Sequence, residues 1–159
     1  MPVPRLMLLI LLLVPLVGAC SAADEQVPVT AAEGSTGGLA GLYERARTGG
    51  EPDRLCMAAE RSGFRFGLMT RSDGPANCTA RGTAERQGDR LKLRIDGAPA
   101  CDISATTSVG GVTLDAVTGA ECSYYCGEAA ELTTGTFAKA GSSPADLRKA
   151  VDVAGETLC

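Results

Sequence analysis

Histidine is missing from all 159 residues, and so is tryptophan. The first absence removes the side chain that ordinarily titrates near neutral pH. With it go every Ser-His-Asp and Cys-His catalytic arrangement. A zinc site would need thiolates or carboxylates alone. No two cysteines stand in Cys-x-x-Cys spacing; Cys122 and Cys126 are one residue too far apart for a thioredoxin-like redox pair. Gly-x-Ser-x-Gly, P-loop and dinucleotide glycine patterns do not occur either. Together these gaps point to a non-enzymatic protein without metal or cofactor. Positive charge is scarce: 15 Lys and Arg face 19 Asp and Glu, a net charge of −4. Such a chain is a poor ligand for a phosphate backbone, so nucleic acid is not an expected partner. Long apolar runs are lacking too. The longest, Leu6 to Ala19, falls short of the ~20 residues a spanning helix needs.

That run has another use. One cation, Arg5, precedes it, and it ends in Val17-Gly18-Ala19-Cys20. Its size and flanks fit a secretory signal peptide over residues 1–19. The order aliphatic, small, small, cysteine resembles the lipobox of bacterial lipoproteins. The resemblance covers the first twenty residues. It implies cleavage before Cys20, a diacylglycerol on its thiol and an acyl chain such as palmitate on the new amino terminus. Two or three such chains bury dozens of CH2 groups at about 0.8 kcal/mol each, enough for lasting anchorage. Ser21 after the cysteine implies, by the same resemblance, the outer membrane, with the protein facing the periplasm. The alternative is an ordinary signal cut after Ala19, leaving Cys20 free.

Residues 20–38 are small and polar, with no hydrophobic period, and read as a lipidated flexible tether. Residues 39–159 suit one domain. Its aromatics are Tyr43, Phe64, Phe66, Tyr124, Tyr125 and Phe137. The core must therefore be mostly aliphatic, with Leu55, Met57, Leu68, Leu91, Leu93, Ile95, Ile103, Val112, Leu114 and Leu132 as members. Such a core gains less from burial than one built on large rings, which favours covalent reinforcement. Beyond Cys20 the cysteines are Cys56, Cys78, Cys101, Cys122, Cys126 and Cys159. An even number in an exported chain implies disulfides. The order of candidate strands favours Cys56–Cys78, Cys101–Cys122 and Cys126–Cys159.

Short alternating segments dominate. In RLKLRID, Leu91, Leu93 and Ile95 share one face; CDISA and GVTLDAV repeat the period of two. Turn residues separate these segments at close intervals, as at Asp73-Gly74-Pro75, Asp96-Gly97 and Gly110-Gly111. Strands are predicted at 40–46, 53–60, 64–70, 77–86, 90–96, 100–107, 111–117, 121–125 and 131–138. Connections this short imply a mainly β fold: an antiparallel meander or small barrel of about eight strands, or alternatively a two-sheet sandwich. One C-terminal helix is expected. Ser143 is its N-cap, Pro144 its first residue, Leu147, Ala150, Val151 and Ala154 its apolar stripe, and Gly155 its terminator.

Glu121, Glu128 and Glu131 cluster near ECSYYCG and read as solvated loop carboxylates. If that stretch is extended, Tyr124 and Tyr125 point to opposite faces, one toward the core and one available to a partner. The composition therefore suits a lipid-anchored envelope lipoprotein that binds an envelope protein or other envelope component. The general plan resembles small β-barrel lipoproteins such as the C-type lysozyme inhibitors, which implies an acidic surface turned toward a cationic enzyme. A structural scaffold of the envelope is a second possibility, and a small-ligand carrier or an enzyme using carboxylates a third.

Overall fold

A computed structural model describes residues 38–159. The signal, lipidation and tether readings, Cys20 included, lie outside the described residues. Eight strands run in chain order: β1 (Gly41–Arg45), β2 (Asp53–Glu60), β3 (Gly63–Arg71), β4 (Asn77–Gln87), β5 (Arg90–Ile95), β6 (Asp102–Ser108), β7 (Gly111–Thr118) and β8 (Gly135–Gly141). Each pairs antiparallel with the next, and β8 pairs with β1 through Tyr43↔Lys139 and Glu44↔Ala138. The meander thus closes into a barrel, with no unpaired edge strand among the described residues to invite association.

Alternation decides which side chains go in. Leu55 and Met57 of β2, Phe66 and Leu68 of β3, Leu93 of β5, Ile103 of β6, Leu114 of β7 and Phe137 of β8 fill the interior. Every core member expected from the sequence is buried there. An eight-stranded barrel is just wide enough for side chains to fill. Each large one removed from water contributes about 1.5–3 kcal/mol. Gly82 on β4 is part of this fit: a Cβ there would run into the Arg94 carbonyl and the Phe66 ring.

A smaller apolar cluster sits outside the wall. Leu42, Cys56 and Met69 project from the outer faces of β1, β2 and β3, and Ala150 and Leu158 cover them. The C-terminal segment forms a strap across this surface. It starts in the short helix α1 (Pro144–Leu147), where Ser143 and Asp146 close a capping box. The expected cap is right, but the helix stops at Leu147 instead of running to Gly155. Beyond it Val151 bridges Thr157, and the Leu158 amide donates to the Ala150 carbonyl. This hairpin brings Leu158 onto Gly67, whose missing side chain makes the room.

The disulfides are concentric: Cys56–Cys159, Cys78–Cys126 and Cys101–Cys122 close separations of 103, 48 and 21 residues. Only Cys101–Cys122 matches the expected pairing. Cys56–Cys78 fails because Cys56 faces outward, where it meets the strap, while Cys78 faces the interior. Cys126 consequently joins Cys78, and Cys159 is left for Cys56. Two strand expectations also need correction. Residues 121–125 are not extended, and β8 begins at Gly135 rather than at residue 131.

Candidate interaction face

The loops at one end of the barrel span 46–52, 72–76, 96–101 and 119–134. The last of these closes that end. It opens with a 3-10 turn, Ala120–Ser123, entered through Gly119 at φ 120°, where a Cβ would strike the Ala100 carbonyl. Cys122 reaches Cys101 just ahead of β6, and Cys126 reaches Cys78 at the start of β4. Backbone bonds reinforce the second link: the Thr79 amide donates to the Tyr125 carbonyl at 2.9 Å, and the Gly127 amide to the Asn77 carbonyl at 2.8 Å. ECSYYCG is therefore a lid stapled to two strands, and neither of its thiols is free for redox or metal chemistry.

Because the segment is a turn, Tyr124 and Tyr125 do not alternate between core and surface. Both are exposed, Tyr124 by 65% and Tyr125 by 41%. The Tyr125 hydroxyl donates to the Asp96 carbonyl at 2.7 Å, beside Gly97. Its ring is thereby fixed against the 96–101 loop. Tyr124 makes no side-chain hydrogen bond among the described residues. An exposed aromatic on a doubly stapled turn has little freedom to lose on contact, which is how anchoring tyrosines contribute to interfaces.

Charge is concentrated at this end. Its loops carry Glu51, Asp73, Asp96, Glu121, Glu128 and Glu131 against one cation, Arg47. Glu51 pairs with Arg71 and Arg54, Asp73 with Arg47, and Asp96 with Arg65. Glu121 accepts from the Ala100 amide. Glu128 and Glu131 make no ion pair among the described residues. A hollow of about 570 Å³ opens beside Tyr125, between Thr79 and Arg81 of β4 and the strap residues Asp152, Val153 and Glu156. Val153 is 68% exposed at its rim. Arg81 there binds Asp152 at 3.2 Å and lies 3.7 Å from Glu156.

The sequence reading missed the residue pair that holds the lid from below. Arg45 and Asp53 have the same inward parity as Tyr43 and Leu55. The guanidinium donates to Asp53 at 2.7 and 2.9 Å, to the Thr134 carbonyl at 2.7 Å and to the Thr133 hydroxyl at 2.7 Å. It lies 4.7 Å over the Phe137 ring. Asp53, only 2% exposed, also accepts from the Arg71 amide at 2.8 Å. The parity of GLYER and DRLCM was the available signal: a charge in register with core residues marks a satisfied interior polar site.

The opposite end is built differently. Leu39 and Tyr43 plug it, with the Tyr43 hydroxyl donating to the Leu39 carbonyl at 2.6 Å. Burial pushes this phenol above its usual pKa, while the nearby charge of Arg86 pulls the other way. Lys139 lies 5.7 Å over the Tyr43 ring and donates to the Gly38 carbonyl at 2.7 Å. The chain thus joins the barrel at the mouth farthest from Tyr124. Elsewhere, the hollow of about 510 Å³ outside β5, β6 and β7 is a solvated face, with Lys92 paired to Asp102 and Thr106 bonded to Asp115.

Comparison with known proteins finds no match: no family model, no curated protein and no solved structure resembles this chain. The site must be read from its own chemistry.

Proposed function

We propose that this chain is a non-enzymatic lipoprotein of the bacterial cell envelope, anchored through Cys20, whose lid end binds a cationic envelope protein. The observation that carries the reading is the polarity of the barrel. The chain joins it at one mouth, while the exposed Tyr124, the two lid disulfides and the excess of carboxylates lie at the other. A lipid attached upstream of Gly38 leaves that far face accessible. Acidic surface steers cationic partners and sets on-rate, and a rigid aromatic supplies the anchor. A lysozyme in the periplasm is one partner of the right charge. The carrier reading loses support because the barrel interior is filled by Phe66, Phe137 and their aliphatic neighbours.

The test is photo-cross-linking in cells. A photoreactive residue replaces Tyr124 in the lipidated chain, with the same residue at Val109, on the other mouth, as control. A discrete adduct with one basic protein from position 124, and not from 109, supports the reading. Adducts from neither position, or the same adduct from both, defeat it. Labelling with radioactive palmitate, lost in Cys20→Ser, checks the anchor separately.

A further inference from the structure

We infer that the mouth where the chain joins the barrel is a second interaction surface, one that rests on anionic phospholipid headgroups and points the lid away from the membrane. Three independent features meet there. The first is charge. Arg86 and Lys139 line a hollow of about 460 Å³ with Gly38, Val109 and one acidic residue, Asp89. On the neighbouring hairpins Arg61 follows Glu60 in the β2–β3 turn and Arg90 opens β5. In the hollow and on these two hairpins, Arg61, Arg86, Arg90 and Lys139 face Glu60, Glu85 and Asp89, and the nearby Asp146 is neutralised by Lys149, in a domain whose far end is strongly acidic.

The second is Val109. It is fully exposed at the tip of the β6–β7 hairpin, where Gly110 completes the turn and Gly111 opens β7. The tip is nevertheless well held. The Thr107 amide and hydroxyl donate to the Asp89 carbonyl at 2.7 and 3.0 Å, and the Lys139 amide donates to the Gly110 carbonyl at 2.8 Å. A rigid apolar tip ringed by cations suits the headgroup boundary, where apolar groups insert shallowly and Lys and Arg meet lipid phosphates.

The third is position. Gly38 and Leu39 enter here, and the 17 residues between Cys20 and Gly38 cannot span more than about 60 Å even fully extended. The tether to the proposed lipid therefore enters the barrel at this mouth and not at the lid. Repulsion of the acidic lid by the same anionic surface adds to the orientation, over the ~8 Å screening length of physiological salt.

The setting rests on the proposed anchor, but the attraction can be measured without it. The chain contains no tryptophan, so Val109→Trp and Tyr124→Trp are each a single fluorescent reporter. The unlipidated mature chain, Cys20→Ser, is mixed with phosphatidylglycerol or phosphatidylcholine vesicles at low salt. Binding to the anionic vesicles is expected to be about tenfold tighter, to fade in 0.5 M salt, and to fall several-fold in Arg61→Glu/Arg90→Glu and in Val109→Asp. In the lipidated chain on anionic vesicles, Trp at 109 blue-shifts and is quenched by brominated lipid, while Trp at 124 stays aqueous. Equal affinity for both vesicle types, or an aqueous Trp at 109 in the lipidated chain, overturns the inference. A lipidation failure alone leaves the vesicle binding of the Cys20→Ser chain intact, so the two failures are told apart.

Discussion

Replacing Cys78 and Cys126 together by alanine puts the lid on trial. The bridge closes a separation of 48 residues, which in the chain-entropy account of disulfides stabilises by about 4 kcal/mol. The same arithmetic gives about 3.4 kcal/mol for Cys101–Cys122 and about 4.8 kcal/mol for Cys56–Cys159, from separations of 21 and 103. For a domain of this size 1 kcal/mol moves the melting point by roughly 3–5 °C, so the Cys78–Cys126 loss corresponds to a fall of about 12–20 °C. The three double variants differ in what they loosen. Without Cys78–Cys126, that side of the lid is held by the two backbone bonds between Asn77–Thr79 and Tyr125–Gly127 and by the Tyr125 hydroxyl on the Asp96 carbonyl. Amide exchange over 122–127 should then rise well before global unfolding. Without Cys56–Cys159 the strap over Leu42 and Met69 should loosen while the lid stays protected. Urea unfolding and exchange mass spectrometry read both effects. A stability loss under about 1 kcal/mol, or lid protection unchanged without Cys78–Cys126, would refute the account of the lid as a stapled plug.

Other perturbations test other parts of the molecule. Arg45→Met keeps the aliphatic stem over Phe137 but leaves Asp53 buried with its main partner gone; urea unfolding should show a loss of about 3–5 kcal/mol, and a loss below 1 kcal/mol would mark the pair as an ordinary surface contact. Gly82→Ala forces a methyl against Phe66 and the Arg94 carbonyl, and overpacking of this kind costs about 1–3 kcal/mol by the same assay; a neutral result would contradict the interior fit. Hydrogen bonds from Lys149 and Ser143 hold the Asp146 carboxyl well below the usual carboxylate range. A depressed pKa favours the folded cap above the ordinary value near 4 and ceases to help as pH falls through the folded one. Amide protection of residues 143–150, corrected for intrinsic rates, should therefore weaken in acid, and Asp146→Asn should flatten that dependence.

The barrel was legible because period-two segments such as RLKLRID state both the strand and its inward face, and short Gly-rich turns leave little choice but antiparallel neighbours. The core followed from the same parity. The lid was not legible. ECSYYCG has strand-like residues, yet two disulfides with fixed partners pull it into a 3-10 turn, and that tertiary constraint has no local signature. Cys56 is the instructive case. Lying between Leu55 and Met57, it had to face outward, and Cys78, in register with Ala80 and Ala84, inward. Applying the alternation rule to the cysteines would have excluded their pairing across the wall. The helix was over-read for a similar reason: Ala150 and Val151 of its expected stripe serve a hairpin that, with Leu158, lies on the barrel, not a continuous helical stripe.

The proposal stands or falls on whether the lid tyrosine anchors a cationic partner. The most direct measurement is the affinity of the mature chain for the protein cross-linked from position 124, compared with that of Tyr124→Ala. A central aromatic anchor is worth about 2 kcal/mol or more, which predicts binding roughly thirtyfold weaker in the variant and a marked decline with salt in both. Equal affinities for the two chains, insensitive to salt, would contradict the account.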